Sequence, residues 1–129
     1  EAAEQQEVNR IKAVLKASVV SVSGVNLITA QTGLTSVQAM KDLAFQLRGE
    51  IQSLFLVLGA IIEGKPFLAV MISDEVVKEK GLNASVIVRE AGKAINGGGG
   101  GQPFYATAGG KDPDGLTAAI EKAKSFLSD

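Results

Sequence analysis

The sequence predicts an α+β domain: a small mixed β-sheet of about four strands packed with helices and preceded by an N-terminal helix. Two observations carry that expectation. Leu54 to Ile62 and Pro66 to Ile72 are almost unbroken apolar runs, separated only by Glu63-Gly64-Lys65. Strands covered on both faces read this way, and so tight a connection makes the two antiparallel neighbours. Around them, five segments repeat apolar residues at helical spacing between capping residues and glycines. With 129 residues, 46% hydrophobic and 21% charged, the chain has the make-up of one globular domain able to bury a core.

Residues 1–17 read as a helix with Val8, Ile11 and Leu15 at i, i+3, i+7 and Val14 widening the stripe. Glu1, Glu4 and Glu7 precede Arg10, Lys12 and Lys16, the order that complements a helix dipole. No capping residue opens the segment, and the chain starts without Met. It is therefore either an amphipathic surface helix or the end of a helical linker or coiled coil, residues 1–17, leading into a domain at residues 18–129.

Ser18 to Ala30 alternates and is rich in Val, Ile and Thr, as in a strand, with a turn near Ser23-Gly24. Ser36 is placed to cap a helix bearing Val37, Met40, Ala44 and Leu47, which Gly49 ends. After the two apolar strands, Ser73 caps a short helix that starts with Asp74-Glu75 and stops at Lys80-Gly81. Asn83 caps the next, with Val86, Ile87, Ala91, Ala94 and Ile95 inward and Arg89 and Lys93 one turn apart on the other face. Phe104 to Ala108 is a short strand. Asp112-Pro113 starts the last helix, whose buried stripe is Leu116, Ala119, Ile120, Ala123 and Leu127.

Little chemistry is available to such a chain. It contains no His and no Cys, which removes thiolate and imidazole metal sites, Cys nucleophiles and His-based triads. Its carboxylates sit where helix caps and dipoles explain them, so no acid–base pair is expected. A net charge of −1 does not mark a polyanion binder by itself, so any such site needs local clustering. No apolar run reaches the roughly 18–20 residues needed to span a bilayer.

The residues that call for an explanation are Gly97, Gly98, Gly99, Gly100 and Gly101, running into Gln102-Pro103-Phe104-Tyr105-Ala106-Thr107-Ala108-Gly109-Gly110-Lys111. Each glycine costs about 0.5–1 kcal/mol relative to alanine, so five in a row imply close approach or unusual backbone angles. The expectation is a structured loop whose N–H groups form an anion-binding concavity, with a flexible linker as the rival reading, although linkers use Ser and polar residues over a longer stretch. Arg89, Lys93 and Lys111 flank it and would suit phosphate oxygens, although ordinary solvated charges have the same pattern. A P-loop needs glycine where Tyr105 stands, and a dinucleotide fingerprint opens a helix where this run follows one. Phe104 and Tyr105 offer rings for base stacking, with one of them turned to the core.

The run Gly97 to Pro103 followed by Ala106-Thr107-Ala108-Gly109-Gly110-Lys111-Asp112-Pro113 resembles the signature of the DHH-associated domain that closes alanyl-tRNA synthetases. The resemblance extends through Val88-Arg89-Glu90-Ala91-Gly92-Lys93, the Leu56–Val70 strand-turn-strand and the Ser36–Arg48 helix, nearly everything after residue 18. It implies an accessory domain that binds the outer elbow of tRNA(Ala) and helps couple aminoacylation to editing. Arg89, Lys93, the five glycines, Gln102 and Lys111 would then meet the RNA. Similar domains in DHH phosphoesterases carry His after the glycines, and synthetases often carry Arg; this chain has Gln102. The resemblance further implies a cytoplasmic parent enzyme using ATP, Mg and Zn, with no cofactor in this piece and neither DNA nor a membrane as partner. A dimerisation module of the same synthetase, giving a homodimer, and the substrate-binding half of a phosphoesterase are the alternatives.

Overall fold

A computed structural model describes the backbone of residues 2–127 and the side chains from residue 5 to residue 127. The chain runs α1 (Ala2–Ala17), β1 (Val20–Val22), β2 (Val25–Gln31), α2 (Val37–Glu50), β3 (Leu54–Ile62), β4 (Lys65–Ile72), α3 (Asp74–Lys80), α4 (Ala84–Gly92), β5 (Gly98–Gly101), β6 (Tyr105–Gly109) and α5 (Leu116–Ser125). Short 3-10 turns occupy Lys93–Ile95 and Pro113–Gly115. The expected positions of Glu1 and of the Glu4 side chain lie outside the described residues.

The strands form one mixed sheet in the order β1–β2–β3–β4–β6–β5. β2 and β3 are parallel, joined by α2 as a crossover; every other pair is antiparallel. The central β3–β4 hairpin is the one read from the two apolar runs. Ile62 pairs with Lys65 across a two-residue turn in which Glu63 and Gly64 adopt φ of +53° and +80°. Both central residues lie in the left-handed region, so the turn follows the twist of the strands it joins. Ser23 and Gly24, at +52° and +82°, do the same between β1 and β2.

Both faces of the sheet are covered, which explains why β3 is apolar throughout. Phe55, Val57, Leu68, Val70, Ile72, Ala106 and Ala108 pack against α4 and α5. On the opposite face Leu54, Leu56, Leu58, Ala69 and Met71 pack beneath α2, with Val8, Ile11 and Leu15 of α1 in the same cluster. Charge also holds α1 to α2: Lys12 Nζ and Lys16 Nζ lie 2.8 and 2.7 Å from the Glu50 carboxylate. Those two ammonium groups hold the Glu50 carboxyl down to about 2.

Several sequence expectations need correction. The sheet has six strands where about four were expected, because Ser18–Ala30 is a complete hairpin and the glycine run is itself a strand. α2 continues one residue past Gly49. Val14 and Val86 face solvent at 53% and 41% exposure, and Val88 takes the inward place on α4. Val37 is likewise exposed. Ser73 precedes α3, but its hydroxyl accepts the Leu54 N–H at 2.8 Å, tying α3 to β3 instead of capping the helix. Asp112 caps the 3-10 turn that leads into α5, accepting the Asp114 N–H at 3.1 Å.

Candidate nucleic-acid interface

The site is built where α4 turns back into β5. Asn83 opens α4 by accepting the Ser85 N–H at 2.9 Å, and Pro103 O takes the Ala84 N–H at 2.8 Å. The helix therefore begins against the tip of the β5–β6 hairpin. At its other end Asn96, with φ +56°, reverses the chain, and the Gly97 N–H donates to Gly92 O at 2.9 Å. β5 then runs back beneath α4. A methyl group on Gly92 would stand 3.3 Å from Gly98 Cα, so helix and strand touch backbone to backbone.

The expected concave loop is instead an edge strand paired residue for residue with β6, from Gly98 with Gly109 to Gly101 with Ala106. Glycine is required at alternate positions. A methyl on Gly99 would overlap the Thr107 carbonyl oxygen and lie 2.6 Å from Ala108 Cα, whereas one on Gly98 would meet nothing within 4 Å. The Gln102 N–H donates to Tyr105 O at 2.9 Å and closes the hairpin. Hydrogen-bonded pairs alternate along an antiparallel ladder, so Gly100–Thr107 and Gly98–Gly109 bond to each other. Gly99 and Gly101 are left presenting their N–H and C=O groups along the open edge. Gly97 to Gly101 and Gln102 are all exposed.

Arg89 is exposed on α4 and donates to Ser85 Oγ at 3.3 Å, and that hydroxyl lies beside Gly100. Lys93, also exposed, starts the 3-10 turn and pairs with Glu90 at 3.3 Å, which neutralises part of its charge. Lys111 follows β6 with its side chain in solvent; its N–H donates at 2.8 Å to Ile95 O in that same turn. The three cations thus border the α4–β5 unit, Arg89 along it and Lys93 and Lys111 at the Gly97 end. Sequence spacing missed Ser85, although its position one turn before Arg89 is visible in the chain.

Of the two rings, Tyr105 turns inward, 5.2 Å from Phe45 of α2, and burial pushes its hydroxyl up to about 12. Phe104 lies under Arg48, whose guanidinium is 5.2 Å from the ring centroid and 3.2 Å from Asp74. Among the described residues no group of three His, Cys, Asp or Glu side chains is placed to hold a metal ion.

Residues 24–129 match the family model described as the DHHA1 domain. The chain belongs to the DHHA1 family. Its relatives are alanine–tRNA ligases: that of Christiangramia forsetii is 52% identical over 123 residues, 95% of this chain and 14% of that protein. That of Bacteroides fragilis is 59% identical over 86 residues, 66% of this chain and 10% of that protein. The DHHA1 chain therefore spans a small part of the curated relatives it matches. In structure it resembles the C-Ala domain of Aquifex aeolicus alanyl-tRNA synthetase, with TM-score 0.75 and 27% identity, covering 86% of this chain and 98% of that one. This is a DHHA1 domain of the alanyl-tRNA synthetase kind, as the glycine signature implied.

Proposed function

We propose that this DHHA1 domain docks tRNA(Ala) at its outer elbow, so that the aminoacylation and editing sites of a parent alanine–tRNA ligase work on one tRNA. The observation that carries the reading is the edge hairpin of bare backbone, Gly98–Gly101, set directly beside Arg89 and ending near Lys93 and Lys111. With no side chains to fend it off, a sugar–phosphate backbone can approach the outward N–H groups of Gly99 and Gly101, while the cations supply charge. Gln102 adds a neutral amide at the hairpin tip. Likeness to alanine–tRNA ligases selects the RNA. The working compartment on this reading is the cytoplasm, with neither DNA nor a membrane as ligand. ATP, Mg and Zn would act elsewhere in the parent; a chain without His or Cys does not fit a zinc site built on imidazole or thiolate ligands.

Titration with tRNA(Ala) across a salt series tests this. Arg89→Ala and Lys111→Ala should each lower the slope of log K against log salt by up to about one unit, evenly across tRNA sequences. Lys93→Ala should lower it less, because Glu90 already shares that charge. Wild-type slopes in all three variants would refute the reading.

One observation favours homodimerisation as a second role. Val14 and Val20 are 53% and 56% exposed, and Val14 borders a groove of about 320 Å³ between α1 and the end of β2. Light scattering of wild type against Val14→Lys separates that role from RNA docking: a monomer in both cases would exclude it.

A further inference from the structure

The opposite face of the same hairpin carries a second arrangement. The helical layer over that face ends at one stripe of α2, Val37, Lys41, Phe45 and Arg48, at i, i+4, i+8 and i+11. β6 runs beside the stripe. Phe45, 36% exposed, stands 5.2 Å from Tyr105 with the ring planes inclined by 58°. Lys41 Nζ lies 6.0 Å from the Phe45 ring centroid. Farther along, Val37, Lys65 and Phe67 line a depression of about 290 Å³ that reaches Gly109 and Gly110. Beyond β6 lies only β5, exposed along its length and without side chains.

The result is a trough with an aromatic ledge, a cationic rim and a low outer wall. Among the described residues neither Lys41 nor Lys65 forms an ion pair; Asp42, beside Lys41 on α2, accepts from the Gln38 amide at 2.9 Å, and Asp74 is engaged by Arg48. Aromatic rings beside uncompensated cations are the combination that holds nucleobases and their phosphates. An apolar protein segment would gain nothing from the two lysines. We propose that this trough takes an unpaired RNA base, stacked on Phe45 beside Tyr105, with the flanking phosphates at Lys41 and Lys65. The inference rests on the RNA-docking reading and adds to it a contact on the sheet face away from α4.

The chain has one tyrosine and no tryptophan, so its intrinsic emission reports on Tyr105 alone. A single-stranded oligoadenylate of about eight nucleotides should quench that emission saturably, and an RNA hairpin stem should do so far less. Phe45→Leu should weaken oligoadenylate binding roughly five- to thirty-fold. Lys41→Ala and Lys65→Ala, both surface changes, should each reduce its salt slope. Unquenched emission, or oligoadenylate binding at wild-type strength in folded Phe45→Leu and Lys41→Ala, overturns the proposal. If tRNA(Ala) binding falls in Arg89→Ala yet is untouched by Phe45→Leu and Lys41→Ala, the trough is excluded and the α4 face stands. If neither tRNA nor oligoadenylate binds wild type, both readings fail.

Discussion

Gly99→Ala and Gly98→Ala are neighbouring, chemically identical changes for which the structure forecasts opposite results. At Gly98 the new methyl has open space, and Ala restricts the unfolded chain more than Gly does. The change should leave stability within a few tenths of a kcal/mol or raise it slightly. At Gly99 the methyl would overlap Thr107 O and sit 2.6 Å from Ala108 Cα, where carbon atoms normally stay about 3.5 Å apart. β5 must then retreat by about 1 Å, which stretches ladder bonds of ordinary length past the range of a hydrogen bond. Losing two to four such bonds at about 1 kcal/mol each predicts a destabilisation of roughly 2–4 kcal/mol. Urea unfolding followed by circular dichroism measures it, and amide exchange at Gln102 shows whether the hairpin opens alone. Equal midpoints and equal Gln102 protection in the two variants would refute the close approach of β5 to β6.

Three further outcomes follow from other parts of the fold. The Glu50 carboxyl is held to about 2 by Lys12 and Lys16, below the ordinary 4.5, so its contribution is complete above that ordinary value and is lost as pH falls toward 2. Limited proteolysis should show α1 loosening across that window in wild type, and Glu50→Gln should show it already loosened at neutral pH; identical profiles would exclude the ion pairs as the tether. Val57→Asp puts a carboxylate in a fully buried site of the central strand and should cost more than about 3 kcal/mol, abolishing a cooperative melt near the wild-type temperature. The chain alone should neither charge tRNA, nor deacylate mischarged tRNA, nor cleave an oligonucleotide; turnover that survives purification and disappears on mutation would contradict this.

The central hairpin was legible because β3 and β4 are buried on both faces, which leaves a continuous apolar run with its turn residues at the break. The helices were legible through their caps, Ser36 and Asn83, and through their periodicity. The glycine run was misread as a loop because strand signals come from side chains, and Gly98–Gly101 has none; its pairing is specified by β6. Val86 and Val88 were exchanged because periodicity locates a face of α4 only to within about one residue when small and branched residues surround it. Arg89, Lys93 and Lys111 were singled out by their nearness to the glycine run along the chain, and the structure places them around the α4–β5 unit. The Lys41–Phe45–Tyr105 trough was not, because α2 and β6 are some 60 positions apart and meet only across the sheet.

The most direct test of the account is the affinity of tRNA(Ala) for Gly98→Glu and Gly98→Gln, measured against wild type at fixed salt. A Cβ at Gly98 meets nothing within 4 Å and a longer side chain on this exposed edge can extend into solvent, so both variants should fold and melt as wild type does. If RNA backbone lies against the glycine edge, either side chain obstructs it and Glu adds repulsion. Binding should then fall in both, by roughly ten-fold or more for Glu and less for Gln. Wild-type affinity in both folded variants would contradict docking at the hairpin.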